Sequence, residues 1–310
     1  MPLLTRKRLL LAKSEDTYGT SAAPAGTDAV LVSNLEVEPL QMELKEREII
    51  TGILGHRDSI VGQRMVSVKF KVEMAGSGAA GTAPQYGSIL KACGFSETVS
   101  SGVSVTYAPV SSSFSSCTLD FRNDGIKQVI VGARGTVSIE MAAGEPPAFS
   151  FEMMGLYGAP TALSNPSPTY SNQVAPVAVN SDNTASVSVH SYSACMNAFS
   201  LQLSNEMVFR QLAGCSKQVI IPDRKPSGEI TIELPALGTK DFFSIASAQT
   251  KGAITWTHGT TAGNIIAFSA PTAAFDSPGY EDADGIQHIK LPFRPIPTSA
   301  GNDEFSLVLT

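Results

Sequence analysis

Val66-Ser67-Val68-Lys69-Phe70-Lys71-Val72-Glu73-Met74 alternates apolar and polar residues without a break. A period of two sends successive side chains to opposite faces. The stretch therefore reads as a strand with Val66, Val68, Phe70, Val72 and Met74 on a core, and Ser67, Lys69, Lys71 and Glu73 on a wet or contacting face. Similar alternation or short apolar runs recur at 35–44, 117–121, 126–131, 135–141, 148–153, 199–203, 219–221, 229–234, 254–256, 265–268, 286–291 and 305–309. Only 86–93 and 240–248 space apolar residues three and four apart, as a short helix does. The predicted fold is mainly β and mostly antiparallel, with one short flanking α-helix in each half.

The deciding stretch has a counterpart downstream. At one constant displacement Glu46 meets Glu206, Ile49 meets Phe209, Ile60 and Val61 meet Ile220 and Ile221, Arg64 meets Arg224, and Ser67 meets Ser227. Phe70, Val72, Glu73 and Met74 then meet Ile230, Ile232, Glu233 and Leu234. Beyond a glycine-rich insertion the displacement shortens, so that Ser88-Ile89 meets Ser244-Ile245 and Phe149-Ser150-Phe151 meets Phe305-Ser306-Leu307. Set against chance likeness between two β domains, this repeated order predicts an internal duplication that presents two nearly equivalent faces. The expected organisation is an N-terminal extended arm over 1–30, a first domain over 31–157, a linker over 158–181 rich in Pro, Ser, Asn and Thr, and a second domain over 182–310. The arm is expected to be disordered or ordered by a partner.

Composition narrows the function classes. The 310 residues carry a net charge of −6, with 43% hydrophobic and only 16% charged residues, against about a quarter charged in ordinary soluble domains. Burial of outer surface by neighbouring subunits is one reading of such depletion. An isoelectric point near 5.3 argues against a dedicated phosphate-binding face, which gathers Lys and Arg. Cys93, Cys117, Cys195 and Cys215 lack Cys-x-x-Cys spacing and are too few to staple this chain, so buried reduced thiols are expected. Leu9, Leu10, Leu11 and Ala12 form too short an apolar run for a signal core or a membrane span. An intracellular or assembled setting is the expectation.

Catalytic patterns were sought and set aside. Gly76-Ser77-Gly78-Ala79-Ala80-Gly81 matches the dinucleotide fingerprint, yet Thr82, Ala83 and Pro84 separate it from a short helix among antiparallel strands. A flexible surface loop is the expected alternative. Asp282-Ala283-Asp284-Gly285 opens like a calcium loop but lacks the closing bidentate carboxylate, so it reads as an acidic turn. His56, His190, His258 and His288 fall at no metal-ligand spacing, and Trp256 reads as a packed core or interface aromatic. No catalytic, cofactor or metal site is predicted.

Several stretches, in order, resemble major tail tube proteins of long, non-contractile-tailed bacteriophages. They include Leu9-Leu10-Leu11-Ala12-Lys13, Thr17-Tyr18-Gly19-Thr20 and Leu31-Val32-Ser33-Asn34-Leu35-Glu36-Val37-Glu38-Pro39-Leu40. Val72-Glu73-Met74-Ala75-Gly76-Ser77-Gly78, Leu90-Lys91-Ala92-Cys93-Gly94-Phe95, Gly132-Ala133-Arg134-Gly135-Thr136, Gly144-Glu145-Pro146-Pro147 and Glu304-Phe305-Ser306-Leu307 continue the likeness through nearly the whole chain. The resemblance implies two tandem tail-tube-like β-sandwich/barrel domains whose sheets join those of neighbours. Rings of such subunits stack into a tube that conducts double-stranded DNA without binding it specifically. It also implies a virion tail location after assembly in the host cytoplasm, with tape measure, tail terminator and baseplate proteins as partners. Simple members make six-subunit rings from one domain, so a duplicated chain is expected to make trimeric, pseudo-sixfold rings.

A conduit should not hold its cargo, and a basic wall would, by releasing counterions. Glu73, Glu140, Glu229 and Glu233 are therefore the lumen candidates, with Lys69 and Lys71 on the row of Glu73 counting against the simplest form of the idea. The competing reading is an ordinary solvated strand face. Ring stacking is assigned to the equivalent connections 50–64 and 210–224, which mix apolar anchors with both signs of charge. Its candidates are Ile53, Leu54, His56, Arg57, Asp58 and Arg64 in the first half, and Leu212, Lys217, Asp223 and Arg224 in the second. The alternatives are mobile hairpin loops, another tail structural protein such as a baseplate or terminator subunit, and a two-domain β-sandwich adhesion or binding module.

Overall fold

The computed structural model describes residues 2–310. The deciding stretch lies in the Ser59–Glu73 strand, which pairs with Ser33–Glu46 on one side and Ala148–Leu156 on the other. Its buried row, Val66, Val68, Phe70, Val72 and Met74, alternates with polar residues as the period requires. Phe70 stacks on Phe151 of the neighbouring strand at 5.3 Å, an aromatic cross-strand pair of the kind that fixes register. Ala148–Leu156 pairs next with Ile126–Ala142, a single strand where the sequence had predicted two runs.

The second half repeats this order. Met196–Gln202, Ser227–Glu233 and Ile286–Pro295 follow one another as Ser33–Glu46, Ser59–Glu73 and Ala148–Leu156 do. The C-terminal part of Ile126–Ala142 pairs directly with Met196–Gln202, so one sheet runs across both halves. An outer layer covers it. In the first half Arg8–Ser14 joins Cys117–Asn123; in the second Thr184–Val189 joins Gly252–His258. Between the layers Phe199 packs against Trp256 at 5.5 Å and Phe268 at 5.0 Å. The short helices Gly87–Ala92 and Phe242–Ser247 sit close to the predicted positions. The sheets do not close into a barrel within one chain.

Four expectations are corrected. The arm expected over 1–30 begins with a core strand: Leu10 and Leu11 are fully buried, and all of Arg8–Ser14 is registered against Cys117–Asn123. The four apolar residues too few for a membrane suffice for a strand. The match of 149–151 with 305–307 fails, because Leu291 faces Ile230 as Phe151 faces Phe70. Ser306–Leu309 instead extends the outer layer beside Ile266–Phe275, where the first half has only Thr161–Ala162. The glycine-rich segment is packed rather than loose. Gly78 donates its N–H to Gly263 O at 2.9 Å, Asn264 Oδ1 accepts from Gly76 N at 2.7 Å, and a Cβ on Gly76 would fall 1.9 Å from Gly263 O. Finally, Cys93 and Cys117 are buried, with burial pushing both thiols up, but Cys195 and Cys215 are exposed.

Candidate assembly surfaces

Strand parity sorts the predicted carboxylates onto one surface. Glu73 lies across from Ala148, Ala148 across from Glu140, Glu140 across from Ser200, and Ser200 across from Glu229. Glu233 sits further along the row of Glu229. The structure thus brings Glu73, Glu140, Glu229 and Glu233 onto the polar face of the continuous sheet. Two open troughs of about 510 and 370 Å³ run along that face, lined by serines, threonines, glutamates and lysines together with apolar residues such as Phe70, Phe151 and Phe199.

The lysines that counted against an acidic wall are each paired. Lys71 Nζ lies 2.6 Å from Glu140 and Lys69 Nζ 2.9 Å from Glu152. The Glu152 carboxylate holds the Lys69 ammonium above its usual pKa. Lys290, on the same face in the second half, lies 3.3 Å from Glu281. Such exposed pairs add little stability, about 0–1 kcal/mol each. Their consequence is electrostatic, since each lysine is offset locally. Glu36, Glu38, Glu152 and Glu281 were missed by the sequence reading. Parity could have found Glu152, two residues from Ser150 in the alternation Phe149-Ser150-Phe151-Glu152-Met153.

The two stacking candidates part company. Ser33–Glu46 and Ser59–Glu73 form one long hairpin whose tip, 47–58, carries Ile53, Leu54, His56, Arg57 and Asp58. Ile53 is 73% exposed and Leu54 fully so. Arg57 braces the tip through Glu46 Oε1, which accepts its backbone N–H at 2.9 Å, and through Gly55 O at 3.0 Å. Arg47 N donates to Asp58 O at 3.1 Å. Arg64, expected in the loop, stands within the strand opposite Met42. Leu40, Met42, Leu44 and Ile60 are also exposed on the hairpin below the tip, a concentration of apolar side chains of the kind that marks interaction sites on soluble proteins.

The equivalent connection of the second half is a smaller hairpin of Val208–Arg210 with Gln218–Ile220, folded against the first half. Tyr18 Oη accepts from Val219 N at 2.6 Å and Arg134 donates to Val219 O at 2.8 Å. Leu212 and Lys217 remain exposed at its tip. Asp223 pairs with Lys225 at 3.0 Å, which holds its carboxyl below the usual range. Arg224 does not join an exposed stacking surface. Its side chain is largely covered, donating to Glu304 at 2.6 Å and to Val110 O at 2.7 Å.

Among the described residues no group of three metal-ligating side chains converges, and no helix is long and apolar enough to cross a membrane. The Asp282 segment is a hairpin turn, with Asp284 and Gly285 at positive φ and Gly285 N donating to Asp282 Oδ1 at 3.3 Å. Among known proteins, the profile of a family described as Phage tail tube protein matches residues 5–295. No curated protein matches the sequence.

Proposed function

As a member of the phage tail tube protein family, to which residues 5–295 assign it, the chain is a structural subunit of a phage tail, and we propose that three copies form each ring of the tube. The single observation behind this reading is the sheet that joins the halves. Two four-strand units meet edge to edge within one chain, and among the described residues the outer edges of the joined pair have no strand partner. Three chains would supply six such units, giving pseudo-sixfold symmetry. Closing the circle would remove the unpaired edges that otherwise invite uncontrolled association.

In this reading the polar face lines the lumen. Glu73, Glu140, Glu229 and Glu233, with the neutralised lysines among them, let double-stranded DNA pass without the counterion release that would hold it. The hairpin tip at 47–58 seats its exposed isoleucine and leucine against the next ring. Long, non-contractile tails, with tape measure, terminator and baseplate proteins as partners and assembly in the host cytoplasm, complete the proposal. Electron microscopy of the purified protein at high concentration tests it. Uniform hollow cylinders with threefold rings are expected; six whole chains per ring would refute the trimer, and an absence of cylinders would refute self-stacking.

A further inference from the structure

The join inside the chain is a template for the join between chains. In the first half, neighbouring strands place Glu73, Ala148, Glu140 and Ser200 side by side, and Ser200 is followed by Glu229. In the second half the corresponding row is Glu233, His288 and Glu281, where it stops at an edge. The row that begins at the opposite edge starts with Glu36 beside Lys69. Lys69 holds the place of Glu229, as Glu73 holds that of Glu233. The residue missing beyond Glu281 is therefore the counterpart of Ser200, which is Glu36.

We propose that the Gly279–Ala283 edge takes the Ser33–Glu46 edge of a second copy as its next antiparallel strand, with Glu281 opposite Glu36, Tyr280 opposite Val37 and Gly279 opposite Glu38. The side chains fit this register. Inside the chain Leu201 and Ile139 form the pair that corresponds to Val37 and Tyr280, and both are buried. In the free chain Tyr280 is 66% exposed, propped against Phe243 at 5.4 Å, while Val37 already packs on the core. Placing Val37 over Tyr280 covers that ring with a β-branched partner, a favoured cross-strand combination. The Ser33–Glu46 edge and its internal counterpart, Met196–Gln202, are interrupted at matching places. A bulge between Ser33 and Glu36 parallels the one between Met196 and Ala198, so the register is carried by the residues after the bulge. The pairing sets Glu36 and Glu281 side by side, a like-charge contact tempered by Lys69 and Lys290. Removing one of those charges should ease association.

This register rests on the ring reading, and the experiment separates the two. In a Cys195→Ser, Cys215→Ser background, Glu36→Cys with Glu281→Cys is oxidised during assembly and compared with the off-register combination Glu36→Cys with Gly279→Cys. The in-register combination should yield covalent oligomers ending at a trimer, at least tenfold above the off-register one. Hydrogen exchange on the unmodified chain gives a second readout: those amides of 36–38 and 279–281 that point away from their existing partner strands should be protected in assembled material and open in free subunits. Glu281→Gln should lower the concentration needed for assembly about two- to fivefold. Rings that form with those amides unprotected, or with the off-register disulfide preferred, overturn the register and leave the ring standing. A chain that stays monomeric at every concentration overturns both.

Discussion

The two hairpins descend from the same position in each half, yet only one is free. Ser59 and Arg64 of the first stand exposed where Val219 of the second is buried and the Arg224 side chain is largely covered. The second hairpin is held by Tyr18, Arg134 and Glu304, whereas the first has no such clasp within its own chain. In the proposed ring, one of two equivalent connections would serve assembly while the other acts as an internal tie. Replacing 50–57 with a short glycine-serine turn breaks the comparison most severely. We expect folded subunits that no longer form tubes, while the same replacement at 212–216 leaves tubes intact. Sedimentation and electron microscopy read both, and normal tubes from the first variant would contradict the assignment.

Arg64 and Arg224 sharpen the same contrast at the level of stability. Arg224→Ala would leave the Glu304 carboxylate buried without its partner, an arrangement that costs about 3–5 kcal/mol. The cost is not softened locally, since Glu304 Oε2 and Arg224 Nε already lack other partners among the described residues. Arg64→Ala touches an exposed side chain and should change stability by less than about 0.5 kcal/mol. Denaturant titration of the free subunit decides between them. Equal effects would mean that the buried pair is not what ties the second hairpin down.

The strand content was legible because alternation is a local signal. The positions of Phe70, Phe151 and Ile230 follow from it directly. What parity cannot supply is which neighbour a strand acquires. The likeness of Phe149-Ser150-Phe151 to Phe305-Ser306-Leu307 misled because both are apolar-polar-apolar strand triplets, and a triplet of that kind fits either layer. Edge strands such as Gly279–Ala283, with Gly, Glu and Asp in place of β-branched residues, carry weak propensity and were invisible for that reason. Arg224 was assigned to ring stacking as the counterpart of Arg64; only the fold brings Glu304 to it. That Glu73 and Glu140 each stand on the polar side of a strand, by contrast, was readable from parity; it is the strand pairing that sets them on the same face.

The smallest expected difference between the halves is in their response to acid. His190 and His258 both lie in the second half's outer layer, and burial lowers both below the ordinary value of 6.5. His190 is stacked on Phe275 at 4.4 Å, with Lys240 nearby opposing a second positive charge. His258 is bracketed by Thr184 Oγ1 at 2.9 Å and Val177 O at 3.2 Å. A histidine whose folded pKa is depressed takes up its proton more readily when unfolded, so its contribution is present above about pH 6.5 and fades as pH falls through the folded value. The first half contributes only His56, at the exposed hairpin tip. Melting of the free subunit should therefore move to lower temperature between pH 7 and pH 5, and His190→Gln should flatten that slope although it lowers the melting temperature at pH 7. Carboxylates titrate in both proteins and cancel in the difference between them, so an unchanged slope in the variant would remove His190 from the explanation and place the acid sensitivity elsewhere.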